Sequence, residues 1–357
     1  KRGKVSPPQV SLRFEGAATS PVKLPEYIGS VKYVELMDEM GVSSYSPDEI
    51  QKFRDQSDPD LYPDVNWWNE IAKKNASSNR TNLNVNGGNN LLRYALEIGY
   101  FSEDGIIKTD PEQAWDSSLK VKRYNVRSNV DVNLTKTTVL RVNLGGFLQT
   151  KNSPPEGGGN ETDFGLFYQA SRIPPYIHPT IYSNGQIPRV PFKENPWAWA
   201  TQRGFQRTSH SNIESLTAIE QDLNFITKGL TGKLTFAFDK FSGNWVTRSK
   251  DPDYYTVASG RDENGELVTS LQAHGQQFLG YSTGADWGRQ STYLEGLLNY
   301  SRLFNAVHDV NVMLLYNQRN YDDGSKLPYR TQGSAARFSY SFDRRYIAEF
   351  NFGYNGS

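Results

Sequence analysis

The feature that most constrains this chain is a period of two. Over residues 124–134, Tyr124, Val126, Val130, Val132 and Leu134 fall on alternate positions with only Ser128 polar among them, while Arg123, Asn125, Arg127, Asn129, Asp131 and Asn133 fill the positions between. A strand sends successive side chains to opposite faces, so this segment has one apolar and one strongly polar face. The pattern recurs. Leu140, Val142, Leu144 and Leu148 oppose Arg141, Asn143 and Gln149. Leu92, Tyr94, Leu96, Ile98 and Tyr100 oppose Arg93, Ala95, Glu97 and Gly99. Eleven runs follow the rule, at about 9–19, 80–87, 90–101, 119–134, 138–150, 212–227, 230–247, 290–303, 308–319, 331–342 and 346–355. The run at 212–227 is the least regular, because Glu220 and Asp222 interrupt it in a way a helix also tolerates. Several runs reach 12 to 18 residues. A soluble strand averages about 5–6, whereas a tilted strand crossing a bilayer needs about 9–11.

The connections alternate short and long. The short ones, such as Gly88-Asn89, Thr135-Lys136-Thr137, Lys228-Gly229 and Asp343-Arg344-Arg345, carry the Gly, Asn and Asp that tight hairpins use. The long ones span about 20–79, 102–118, 151–211, 248–289 and 320–330. Outer-membrane barrels have this asymmetry, with short periplasmic turns and long extracellular loops. Aromatics near the run ends, among them Tyr100, Phe101, Tyr316, Tyr321, Tyr346 and Tyr354, suit an interfacial girdle. The fold class these signals predict is all-β: a transmembrane antiparallel barrel wall with long extracellular loops and a short helical insert.

Composition removes the competing classes. Hydrophobic residues make up 36% and mean hydropathy is -0.66, with no stretch of about 20 apolar residues for a membrane helix. Lys plus Arg equals Asp plus Glu at 39 each, so the chain lacks the basic excess of a nucleic-acid binder. Aromatics at 13% are too many for a solvated coil. Cysteine is absent, which leaves no disulfide, thiolate site or cysteine nucleophile. No apolar stretch follows Lys1-Arg2-Gly3-Lys4, so no signal peptide is visible.

Between the first two runs the period changes. PEYIGSVKYVELMDEM (25–40) places Ile28, Val31, Val34, Leu36 and Met37 at helical spacing. Ser46 is an N-cap candidate, with Pro47 at the first helical position and Glu49 completing a capping box. YPDVNWWNEI (62–71) follows a Pro- and Asp-rich stretch, and Trp67 and Trp68 there read as packing residues.

YPDVNWWNEI followed by NLNVNGGNNLLRYALEIGYFSEDGII (82–107) resembles the start of the barrel in SusC-like (SusC/RagA) TonB-dependent outer-membrane transporters. KRGK (1–4) resembles the end of that family's plug, and the helical segments match its first large extracellular loop. The resemblance is specific over 1–107 and rests on barrel architecture beyond. It implies that 1–8 lead out of the plug and that 9–357 form the N-terminal half of a barrel of about 22 strands around a plugged lumen. Eleven strands cannot close by themselves, so the expectation is a segment of a larger protein, a partial structure or half of a split barrel. The resemblance further implies a Gram-negative outer-membrane importer of glycans or oligopeptides. It would have a SusD-like surface lipoprotein as lid, TonB acting through the plug, and a SusCD pair that can dimerise. A scaffold role in an envelope assembly and a soluble β-rich binding module are the alternatives.

Signatures of catalysis are poor. His178, His210, His274 and His308 are far apart and form no metal spacing. Gly157-Gly158-Gly159 opens no helix and reads as loop. Asp262-Glu263-Asn264-Gly265-Glu266 lacks the EF-hand spacing and reads as a hairpin turn. No enzyme, metal or cofactor is expected. The ligand-binding candidates are loop aromatics taken to be exposed: Trp197 and Trp199 beside Asn195, with Tyr176, His178 and Tyr182 upstream. Aromatic faces with adjacent polar groups are how loop sites hold sugars or peptides. Arg93, Arg123, Arg127, Asp131 and Arg141 are the lumen-facing candidates, placed to line a path or meet a plug.

Overall fold

All eleven alternating runs form strands, and they pair in chain order. The computed structural model describes residues 2–43, 45–155, 164–324 and 326–357. Lys1 and the Gly157-Gly158-Gly159 loop lie outside the described residues. The elements are β1 (Ser6–Thr19), α1 (Ser30–Glu39), α2 (Pro47–Asp55), α3 (Trp67–Ile71), β2 (Ala76–Gly88), β3 (Leu92–Asp104), β4 (Lys120–Asn133), β5 (Thr138–Ser153), α4 (Phe164–Ala170), β6 (Ile187–Pro188), α5 (Pro196–Thr201), β7 (Gly204–Asp222), β8 (Leu230–Ser249), β9 (Tyr254–Tyr255), β10 (Leu271–Ala273), β11 (Gly280–Phe304), β12 (His308–Asp322), β13 (Tyr329–Phe342) and β14 (Tyr346–Gly356). One antiparallel sheet of 11 strands runs β1-β2-β3-β4-β5-β7-β8-β11-β12-β13-β14. β1 and β14 are its two edges, so the sheet is open. A second sheet of three short strands, β10-β9-β6, lies among the loops.

Register converts the alternation into two continuous faces. Leu12, Leu83, Ile98 and Val126 lie side by side across β1 to β4. Leu140, Ile219 and Leu234 continue the apolar face, and Leu298, Leu314, Ala336 and Phe352 carry it to β14. These residues are not covered: Leu12 is 70% exposed, Leu234 55% and Phe352 55%. The opposite face carries the rows Arg93, Asp131 and Arg141, and Glu97, Arg127, Gly145, Glu214 and Asp239. A soluble monomer rarely exposes a contiguous apolar patch above a few hundred Å². Each large aliphatic left in water also forgoes about 1.5–3 kcal/mol. An apolar face spanning eleven strands therefore belongs against an apolar medium.

The buried core lies elsewhere. Among the described residues, every buried apolar side chain except Ala218 comes from the long connections or their short helices and strands. The largest cluster joins Trp67, Ile71, Ile107, Leu166, Trp199 and Ala200, with Val65, Leu119, Phe167 and Trp197 packed on it. Residues from three separate long connections thus fold together as one cap at one end of the sheet, and Tyr254 from a fourth packs beside them with Ile187 and Ala198. The turns at the other end are tight. Asn305 and Ala306 (φ 48 and 60), and Asp343 and Arg344 (φ 49 and 56), take the left-handed backbone that two-residue hairpins require.

Several boundaries differ from the periodicity. β7 starts at Gly204 instead of 212, and β11 at Gly280 instead of 290. Residues 206–211 are polar on both sides, and in 280–289 only Tyr281 and Trp287 are large and apolar, so neither shows an apolar alternation, yet both pair in the ladder apart from a bulge between Ala285 and Gly288. The long connections are correspondingly shorter than expected. β7 also stops at Asp222, because residues 223–229 turn back, with Leu223 N–H donating to the Leu230 carbonyl at 2.9 Å. β1 begins at Ser6, inside the stretch assigned to the plug exit. α1 begins at Ser30 instead of Pro25. Its N–H and hydroxyl donate to Asp64 (2.8 and 3.0 Å), and Gly29 ahead of it is extended.

Candidate functional site

Two surfaces carry the chemistry: the cap and the polar face of the sheet. The cap is held by local sequence signals. Ser46 and Glu49 form the full capping box of α2. Asn66 caps α3, accepting from Asn69 N–H at 3.1 Å. Asn195 caps α5, accepting from Ala198 N–H at 3.1 Å, while its amide donates to the carbonyls of Thr180 (2.9 Å) and Pro188 (3.0 Å). It is fully buried, so one side chain satisfies three backbone groups that have no water.

The loop aromatics chosen from sequence are brought together, but inside the cap. Trp199 is buried and its Nε1 donates to the Pro155 carbonyl at 2.8 Å. Tyr182 is buried, and its hydroxyl accepts from Ala258 N–H at 2.8 Å. His178 is fully buried, edge-on to Trp67 with centroids 5.3 Å apart, and its Nδ1 lies 2.7 Å from the Pro179 carbonyl. Burial disfavours its charged form and lowers its pKa to about 4. Trp197 is half-buried against the core, and Tyr176 is half-buried beside Tyr33 (centroids 5.1 Å apart) and Tyr45 (6.2 Å). The expected exposure is thus corrected for Trp199, Asn195, His178 and Tyr182. Trp and Tyr in a loop of this length found apolar partners from other loops, which local sequence does not reveal.

An ion-paired clamp ties the loops laterally. Arg261 grips Asp58 with two bonds of 2.8 Å and reaches Asp60 at 3.0 Å. Asp60 in turn accepts from Ser183 N–H at 2.9 Å and from its hydroxyl at 2.5 Å. The guanidinium holds the Asp58 carboxyl below its ordinary pKa. Arg261 begins the expected hairpin turn, closed by Gly265 N–H donating to the Asp262 carbonyl at 3.0 Å.

A small cavity of about 140 Å³ lies in the cap, lined by Tyr27, Ile28, Tyr33, Asn66, Trp67, Arg172 and the Pro174-Pro175 pair. Tyr27 hydroxyl donates to Ser171 at 2.9 Å. Pockets for whole drug-sized ligands run to about 300–1,000 Å³, so this one suits a single side chain or sugar ring. Sequence reasoning missed Tyr27, Tyr33 and Arg172. The tyrosines sat in a segment read as a helix, and nothing local links them to Arg172.

Arg93, Arg123, Arg127, Asp131 and Arg141 all lie on the polar face. Asp131 is 3.7 Å from Arg2, so the residues before β1 cross that face. Gly3 fits there because an added Cβ would sit 2.4 Å from the Tyr94 backbone. Arg141 pairs with Glu220. Arg123 donates to Asn125 at 3.0 Å and covers the Phe147 ring at 3.9 Å. Arg127 borders a groove of about 360 Å³ that opens over Gly145, with Glu214 and Asp239 across from it.

With this geometry in place, relatives become informative. No family model matches the chain. A TonB-dependent receptor, P3, of Formosa agariphila is 24% identical over 268 residues, covering 73% of this chain and 23% of that protein. The RagAB peptide importer in its closed-closed state superposes with a TM-score of 0.67 at 16% identity, covering 99% of this chain and 43% of the importer chain. Its open-open state gives 0.66 at 14% identity. The chain is thus distantly similar in sequence to one TonB-dependent receptor. Its sheet has the fold of part of a RagA-type barrel, and it spans less than half the length of each of these relatives.

Proposed function

We propose that the chain is the N-terminal half of the wall of a TonB-dependent importer of the SusC/RagA type in a Gram-negative outer membrane. In this proposal it takes up glycans or oligopeptides with a SusD-like lipoprotein as lid. The observation that carries it is the pairing of an exposed apolar face with a charged opposite face over one sheet of eleven strands. Only a bilayer outside and a polar lumen inside suit both faces at once. The RagAB importer takes peptides by its own description, and the sugar-or-side-chain size of the cap cavity is compatible with either substrate class.

In this proposal residues 1–8 lead out of the plug, and the long connections face the lid outside the cell. The lumen-facing arginines and Asp131 meet the plug or line the path, as the Arg2–Asp131 contact illustrates. Tyr27, Tyr33 and Trp67, with Tyr176 behind Tyr33, touch substrate at the mouth. Asn195, His178, Tyr182, Trp197 and Trp199 hold the cap in the shape that presents them.

The experiment is uptake of labelled oligopeptides and oligosaccharides by cells carrying the full-length protein, with and without TonB. The expected result is detergent-dependent recovery from the outer membrane and accumulation of one substrate class only when TonB is present. Recovery as a soluble monomer overturns the barrel. Membrane insertion with TonB-independent accumulation, or with none, overturns the importer and favours a scaffold.

A further inference from the structure

A further groove lies outside the cap and outside the polar face. It is a groove of about 660 Å³ in the apolar face, across β7, β8, β11, β12, β13 and β14. Two adjacent register rows form its floor. One runs Gly232, Leu298, Leu314, Ala336 and Phe352. The other contains Leu234, Gly296, Tyr316 and Ser334. The groove exists because small residues interrupt both rows. Glycine inside a strand weakens it and often marks a close approach by something else. At Gly296 an added side chain would meet nothing within 4 Å. No contact inside the chain demands glycine there, yet the space is kept.

A second observation lies along β11 toward the tight turns. Leu298, Tyr300, Arg302 and Phe304 share the apolar face, so Arg302 is a cation on an otherwise apolar surface. It is four residues, roughly 13 Å, from Leu298 at the strand rise of about 3.3 Å per residue. Its guanidinium lies over the Phe304 ring at 4.7 Å and pairs with no carboxylate among the described residues. An apolar groove with a cation about 13 Å further along the same face has the polarity of one amphiphile: acyl chains in the groove and an anionic phosphate at the turn end.

We propose that this groove is a specific binding site for a membrane phospholipid, with an acyl chain over Gly296 and Ala336 and the phosphate at Arg302. The inference rests on the membrane-wall reading, which assigns the tight-turn end to the periplasmic leaflet. The charge complementarity selects an anionic headgroup over a zwitterionic one, since each basic group near a membrane surface favours anionic lipid.

The test uses the full-length protein purified in detergent and titrated with dipalmitoyl phosphatidylglycerol, with retained lipid counted by native mass spectrometry. Gly296→Leu puts a side chain into the groove at a position with room for its Cβ, and Arg302→Gln removes the cation. Phe14→Leu, on β1 outside the groove, is the control. The expected result is a retained lipid on the wild type and the control, its loss in Gly296→Leu, and roughly fivefold weaker retention in Arg302→Gln. Phosphatidylcholine should bind more weakly to the wild type and be indifferent to Arg302→Gln. Equal retention by wild type and Gly296→Leu, with both variants folded in the membrane fraction, overturns the lipid site alone. Absence of the wild type from the membrane fraction overturns the wall reading beneath it.

Discussion

At the residue scale, single side chains in the cap do work that their neighbours in sequence do not announce. Asn195 satisfies three backbone groups in a site without water. Removing a helix cap costs about 0.5–2 kcal/mol, and each buried carbonyl left unpaired adds about 1–3. Asn195→Ala is therefore expected to destabilise the cap by several kcal/mol while the strands persist. Limited proteolysis should then cut the cap at lower temperature, with no change in strand content by circular dichroism. His178 gives the cap a pH dependence of definite sign. Its folded pKa is about 4 against about 6.5 unfolded, so the unfolded chain binds a proton that the folded chain refuses. Its contribution is complete above about pH 6.5 and declines toward pH 4, by on the order of 3 kcal/mol over that window. The Asp58 carboxyl, held low by Arg261, acts in the same sense over a lower window. Its contribution is present above the ordinary carboxylate range and lost as pH falls below it. Hydrogen exchange of residues 254–273 as a function of pH should show both, with the upper phase absent in His178→Gln and the lower phase absent in Arg261→Ala.

At the element scale, the strands were legible and the cap was not. Alternation is a local signal, and a wall with a different medium on each side writes it along every strand. Even the run around Glu220 proved to be a strand, because Glu220 belongs to the polar face and pairs with Arg141. What failed was extent. β7 and β11 continue through segments such as 206–211, where both faces are polar and the period vanishes. The Ser46 capping box and the Asp262 turn were readable because their partners lie within a few residues. The cluster of Trp67, Ile107, Leu166 and Trp199 joins distant connections, and loop sequence gives no period from which to infer it. The faces make a prediction of their own. Leu234→Arg, on the apolar face, should cost about 2–4 kcal/mol if that face meets lipid near the bilayer centre. Ser339→Arg, on the polar face between Asn311 and Glu349, should stay within about 0.5 kcal/mol. Urea unfolding of the full-length protein from lipid vesicles measures both.

At the scale of the whole molecule, the usual arrangement of a globular protein is reversed. The sheet turns its large aliphatic residues outward, and the buried core sits in the connections. That inversion explains why a chain with 36% hydrophobic residues can build a membrane wall, since every second residue of a strand suffices and the polar connections dilute the rest. It also explains the division of labour, in which a regular wall carries a folded cap assembled from its own loops. The absence of cysteine in the chain permits a direct test of which medium each face meets. Single cysteines placed at 312, 313, 314, 315, 316 and 317 along β12 sample both faces of one strand. In membranes containing the full-length protein, each is challenged with a membrane-impermeant thiol reagent and with a lipid-soluble one. The account predicts a period of two: 312, 314 and 316 react only with the lipid-soluble reagent, and 313, 315 and 317 do not share that preference. Reaction of 312, 314 and 316 with the impermeant reagent would contradict it and return the apolar face to an aqueous or protein-covered setting.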